Sequence, residues 1–229
     1  MATPSPFRPL TALLLAAAMT LAAAPQSLAG PKVPPVDEGV HDPSLLAFRL
    51  EMQEAVTARD LGAVLARVSP EILNSFGGSG GIEEFREAWR VEEGAPALWP
   101  VLASMLAGGG MILRHPEGNT GRIGCGPSFL GPWWYAAWPK RIEPYARALA
   151  IGPDVPVQER PDADGPPVAS LSWEIVESGE PQDGWLPVTL EDGRGGWVRE
   201  EEMRSAQGWH IMLERCDGQW WIEALVRGD

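Results

Sequence analysis

The chain has 229 residues, with 31 acidic side chains against 18 lysines and arginines, giving a formal net charge of −13. Such an acidic balance makes nucleic acid and anionic lipid poor partners and reads first as a device for solubility. The 11 tryptophans and two cysteines are the unusual features of the composition.

Residues 1–29 have the pattern of a secretory signal. Arg8 supplies the positive end, the apolar run 10–24 is too short to span a bilayer comfortably, and Ser27-Leu28-Ala29 is a small-x-small cleavage site before Gly30. The competing reading is a retained anchor; no Cys near the cleavage site fits a lipoprotein. The expectation is a soluble exported protein, periplasmic or extracellular, with no stable membrane anchor after cleavage. Its length would hold one medium or two small cores.

Residues 30–41 are Pro-rich and read as a linker. Asp42-Pro43 then predicts a helix start, Asp as N-cap and Pro at the first helical position. Leu45, Phe48, Met52 and Ala55/Val56 recur at helical spacing, and Leu61, Val64, Leu65 and Val68 predict a second short helix ended by Ser69-Pro70. A short strand is expected over 72–76, a Gly-rich turn over 77–81, a third helix over 82–90 and a fourth over 97–107. A strand over 111–114 and a loop over 118–131 containing Cys125 follow, then the aromatic run 132–139 and a lead-in over 140–150.

From 151 onward the pattern turns to short strands. Val155 and Val157, residues 168–171, and Ile175-Val176 predict three of them, with a turn cluster at 161–167 that includes Asp162, Asp164 and Gly165. Trp185, Pro187-Val188 and Leu190 alternate into an acidic, Gly-rich turn, and Trp197-Val198 begins the return strand. Five short strands in about fifty residues suit a small closed barrel, because closure removes unpaired edges. Trp197 is expected in its core.

Val155-Pro-Val-Gln-Glu-Arg-Pro, Val168-Ala-Ser-Leu, Trp185-Leu-Pro-Val and Asp192-Gly-Arg-Gly-Gly-Trp-Val resemble successive strands of the bacterial SH3 (SH3b) family over residues 151–205. Gln158 stands where that family usually has Arg, and Arg160 where it usually has Gly, so no ligand contact carries over from the opening strand. The resemblance implies binding of peptide or peptidoglycan segments in the cell envelope. A second resemblance is carried by Phe48, Ala58-Arg-Asp, Ser75-Phe-Gly-Gly, Phe85 and Trp89, and by a final hairpin with Trp209 to Glu214, an Asp217-Gly218 turn and Trp220 to Val226. These are similar to NTF2-like (SnoaL-type) domains, which fold helices on a curved sheet to make a pocket, lined in enzymes of that kind by Asp, His or Tyr.

Cys125 and Cys216 form an even pair in a chain read as exported, which favours a disulfide over two free thiols. Neither sits at a helix start beside a His, where a reactive thiolate would form. His41, His115 and His210 lack metal-ligand spacing, so no metal is expected. Glu83, Glu84 and Glu87, and the run Glu200-Glu201-Glu202, read as solvated faces rather than as an acid–base pair. The Gly-rich stretch 77–81 lacks the Lys-Ser/Thr of a phosphate loop. The aromatics Trp133, Trp134, Tyr135, Trp138, Trp173 and Trp185 are the ligand-binding candidates, against the competing reading of core filling.

The sequence thus predicts an α+β protein: an N-terminal helical segment packed on a small sheet, plus an SH3b-like five-stranded β-barrel. The expected division is a signal at 1–29, a linker at 30–41, a helical α+β domain at 42–150, the barrel at 151–206, and a hairpin at 207–229 packing back on the helical domain. The expected function is non-enzymatic binding of a cell-wall peptide or envelope protein, with no cofactor, metal or catalytic residue. The alternatives are an NTF2-like pocket protein, carrier or small enzyme, and a structural envelope protein whose aromatic surface another chain covers.

Overall fold

Asp42 starts the first helix, α1 (Pro43–Ala58), by accepting from the backbone N–H groups of Ser44 and Leu45, while Pro43 takes a position that needs no donor. Leu45, Phe48, Met52, Ala55 and Val56 form its buried face. Asp60 caps α2 (Leu61–Leu65) by accepting from the Ala63 N–H. These elements come from a computed structural model, which describes residues 30–75, 77–78, 80–114, 125–161 and 165–228. The expected signal at 1–29, Phe76, His115, the first part of the expected loop, and Asp162 and Asp164 lie outside the described residues.

Strand β1 (Val68–Leu73) follows, so the second helix stops short of Val68 and Ser69-Pro70 lies inside a strand instead of ending a helix. Next come α3 (Ile82–Ala88), α4 (Leu98–Ala107), β2 (Met111–Leu113), β3 (Cys125–Gly131) and α5 (Trp133–Ala136). Residues 125–131 are therefore a strand and not a loop, despite three glycines and prolines in seven positions. The remaining strands are β4 (Arg147–Ala150), β5 (Val155–Val157), β6 (Ala169–Leu171), β7 (Ile175–Ser178), β8 (Trp185–Thr189), β9 (Gly195–Arg199), β10 (Met203–Arg204), β11 (Trp209–Cys216) and β12 (Gln219–Arg227).

The first sheet has the order β1-β12-β11-β3-β2, with β1 parallel to β12 and the other pairs antiparallel. Its centre is the C-terminal hairpin, turned at Asp217 (φ 52°) and Gly218 (φ 81°), the two positive-φ residues that a tight hairpin turn requires. Pro70 is tolerated because β1 is an edge, bonded on one side only. The second sheet has the order β10-β4-β7-β8-β9, and β5-β6 form a separate ribbon. One bridge, Gln158 to Trp197, joins ribbon to sheet through two backbone hydrogen bonds of 2.8 Å.

This differs from the expected closed five-stranded barrel: among the described residues the ladder does not close. The ribbon strands have three residues each, and Pro156 has no N–H with which to extend the pairing. Trp197 is also corrected. It is half-buried on the face opposite Val198, because alternate residues of β9 point to opposite sides and Val198 takes the core side.

Two hydrophobic cores result. The larger lies between the helices and the first sheet, with Phe85, Leu102, Leu106, Phe129, Ile211, Leu213 and Ile222 among its members. The smaller, with Val155, Val157, Leu171, Val188 and Val198, lies inside the second sheet and the ribbon. Strands β4 and β7 serve both: Leu149 and Ile175 belong to the larger core, while Ala148, Ala150 and Val176 belong to the smaller. The period-2 alternation of a strand makes one sheet a shared wall. A disulfide joins Cys125 to Cys216, which face each other across β3 and β11.

Candidate functional site

The six aromatic candidates do not converge on one open groove. Trp133 and Trp134 on α5 are buried edge to face, centroids 5.9 Å apart, and Trp173 meets Trp133 edge-on at 5.7 Å. Tyr135 stacks on His210, and the half-buried Trp138 donates its indole N–H to the Ile142 carbonyl at 2.9 Å. Trp185 is buried apart from these, on β8, beneath the Arg199 guanidinium at 4.1 Å. Packing and cross-strand support are thus the visible work of these rings.

An open cleft of about 640 Å³ lies instead where the edge of the second sheet meets the end of β12. Tyr145, just before β4, stands on its rim with 56% of its surface exposed. A second depression, of about 520 Å³, adjoins it and shares Tyr145 and Arg147, so the rim tyrosine stands between two hollows. Arg147, Arg204 and Arg227 line the first cleft together with Glu180 and Glu200. Arg147 is spoken for: it pairs with Glu177, its cross-strand partner on β7, at 3.2 Å.

Arg204 is different. Strand β10 pairs with β4, Met203 opposite Ala150 and Arg204 opposite Leu149. Met203 therefore enters the smaller core with Ala150, and Arg204 falls on the face that Leu149 turns toward the larger core. There its guanidinium lies 5.7 Å from the Trp134 ring centroid. Nη1 donates to the carbonyls of Glu201 and Met203 at 2.9 and 2.7 Å. The Nε and Nη2 donors have no acceptor among the described residues. Burial pushes the guanidinium pKa down from its usual value, yet an arginine stays charged at any physiological pH.

Arg49 shows how this chain treats a buried guanidinium that has only a structural task. It is 6% exposed; Nη1 donates to both Asp37 carboxylate oxygens at 2.8 and 2.9 Å, and Nε and Nη2 donate to the Leu106 carbonyl at 3.2 and 3.0 Å. Both of its donor edges are used, whereas Arg204, on the cleft wall, has one edge without an acceptor among the described residues.

No family model, curated protein or solved structure matches this chain. Nothing in those comparisons identifies an SH3b or an NTF2-like domain, and the reading of the site rests on its geometry.

Other groups with chemical potential are engaged elsewhere. Cys125, Glu214 and Cys216 bring three ligand-type atoms within 4.8 Å of one another, but the two sulfurs are bonded to each other and offer no thiolate. Glu214, 1% exposed, accepts from the Ser128 hydroxyl at 3.3 Å. Glu84, read from sequence as solvated, accepts from the Gly80 N–H at 2.6 Å and so fixes the turn into α3. His41 lines a separate, shallow hollow of about 430 Å³ with Glu38 and Arg114. Between helices and first sheet, side chains such as Phe85, Leu102 and Phe129 are fully buried. No helix among the described residues is long and apolar enough to cross a membrane.

Sequence reasoning missed Tyr145, Arg204 and Arg227. Each is a single polar residue at a strand end, with no neighbouring motif to mark it. The one available signal is the alternation Met203-Arg204, apolar then charged, at the end of the barrel-like segment.

Proposed function

We propose that this chain is an exported, non-enzymatic binding protein of the bacterial cell envelope. Its second sheet and ribbon serve as an SH3b-like module that takes peptide or peptidoglycan segments. The cleft beside β10 is the observation that supports this reading best: it is open, shares Tyr145 with an adjoining hollow, and is lined by charges of both signs. An exposed tyrosine between two hollows offers a flat apolar face and a polar edge, the combination that recognises peptide backbone and side chain together. The Cys125–Cys216 disulfide is consistent with export, since such bonds persist in oxidising compartments.

Co-sedimentation with purified cell walls at about 0.15 M salt, where surface charges more than a Debye length apart are screened, tests the reading. The protein is expected in the pellet and released by soluble wall peptides. A protein that stays wholly in the supernatant overturns it.

A further inference from the structure

The cleft also carries information about the kind of peptide end it accepts. A guanidinium has five N–H donors in a rigid fork, and its strongest partner is a carboxylate held by two parallel bonds. In Arg204 the Nη1 donors are tied to the Glu201 and Met203 carbonyls, and the indole of Trp134 lies near the same group. The Nε–Nη2 edge, the side-on edge of the fork, is the one without an acceptor among the described residues. A half-buried cation is costly to leave without a counter-charge, because part of its hydration has been removed. Arg227, on the last position of β12, lines the same cleft and makes no side-chain ion pair among the described residues. These two cations stand out in a chain of net charge −13.

We infer that the cleft binds the free carboxylate of a short zwitterionic peptide, received by the Nε–Nη2 edge of Arg204 with Arg227 beside it, while the peptide's ammonium group faces Glu180 and Glu200. The mixed lining favours this ligand over a phosphate. A dianion would gain from the two arginines but be repelled by the two glutamates on the same walls. A zwitterion meets an opposite charge at both ends. The inference rests on the reading of this cleft as a peptide site and adds the chemistry of the end it grips.

The test uses tri-alanine, tri-alanine amide, N-acetyl tri-alanine and inorganic phosphate as probes. Binding to the whole protein is read by calorimetry and by tryptophan fluorescence, to which Trp134 beside Arg204 contributes. Tri-alanine is expected to bind, the amide at least about tenfold more weakly, the acetylated form less strongly than the free peptide, and phosphate more weakly than either. A tenfold loss corresponds to about 1.4 kcal/mol. R227A is expected to weaken tri-alanine without altering thermal stability, and R204K, which keeps the charge but loses the fork, to remove most of the difference between acid and amide. Equal binding of acid and amide, tighter binding of phosphate, no binding of tri-alanine, or unchanged discrimination in R204K would each overturn the inference. If tri-alanine shows the expected pattern while cell walls fail to sediment the protein, the envelope reading falls and the carboxylate site stands. If walls retain the protein but tri-alanine does not bind, the reverse holds.

Discussion

The Tyr135 ring lies flat on the His210 imidazole, with centroids 3.8 Å apart and planes 4° from parallel. The contact joins α5 to β11 and so links the aromatic run to the centre of the first sheet. Burial lowers the pKa of His210, partly offset by a hydrogen bond to the Gly208 backbone, and burial raises that of Tyr135. A histidine with a lowered folded pKa binds fewer protons than its unfolded counterpart. Its contribution to stability is therefore complete above the ordinary value of about 6.5 and is lost as pH falls through the folded value. Melting temperature is expected to drop between pH 7 and pH 5, and H210F, which keeps an aromatic ring in the stack, should flatten that part of the profile. A slope in H210F equal to that of the wild type would assign the loss to other groups.

The disulfide closes a long loop, its cysteines 91 positions apart. On the chain-entropy account a loop of this size stabilises the fold by roughly 4–5 kcal/mol, mainly by restricting the unfolded chain. C125A/C216A is expected to lose stability of this order in urea unfolding. Reductant should lower the wild-type midpoint and leave that of the double variant unchanged.

Arg49 holds together three parts of the chain: Asp37, which caps a short 3-10 turn (Glu38–His41) in the stretch expected from sequence to be a linker, α1, and the last turn of α4 through the Leu106 carbonyl. R49A strips the cation from Asp37 and leaves the Leu106 carbonyl with the Gln53 side-chain amide, at 3.1 Å, in place of three side-chain donors. The expected loss is about 3 kcal/mol, the low end for breaking a buried pair. R49K should recover only part of it, because an ammonium cannot span both partners. Chemical denaturation of the two variants measures the difference.

Gly196 brings the ribbon against the second sheet. A methyl group there would stand 2.3 Å from Val157 Cγ1 and 3.0 Å from the Gln158 carbonyl oxygen, next to the Gln158–Trp197 bridge between ribbon and sheet. G196A is expected to cost about 1–3 kcal/mol, as overfilling of a core does, and to raise hydrogen exchange at the Gln158 and Trp197 amides. Unaltered protection of both amides would show that the ribbon can shift without losing its bridge.

Several elements were legible in the residues alone. The Asp42 cap, the α4 helix, the turn at Asp217-Gly218 and the paired strands around 185–198 depend on groups a few residues apart, and short-range sterics and hydrogen bonds decide them. The disulfide pairing followed from there being two cysteines in all. Strand β3 was not legible. Its glycines and prolines argue locally for a loop, and it becomes a strand because β11, far along the chain, supplies a ladder of partners. The open ladder of the second sheet was hidden for a similar reason, since closure depends on whether distant strand ends meet.

The sequence by itself determined the acidic surface, the mixed α and β content, the helix caps and the tight turns, all of which are local or compositional properties. The tertiary structure alone decided the cleft. Tyr145, Arg204 and Arg227 lie on three separate segments, and they face one space only after β10 pairs with β4 and the end of β12 arrives beside them. A lone arginine leaves no periodic trace in a sequence; whether its donors are used or left over is fixed by which carbonyls and carboxylates the fold brings within reach.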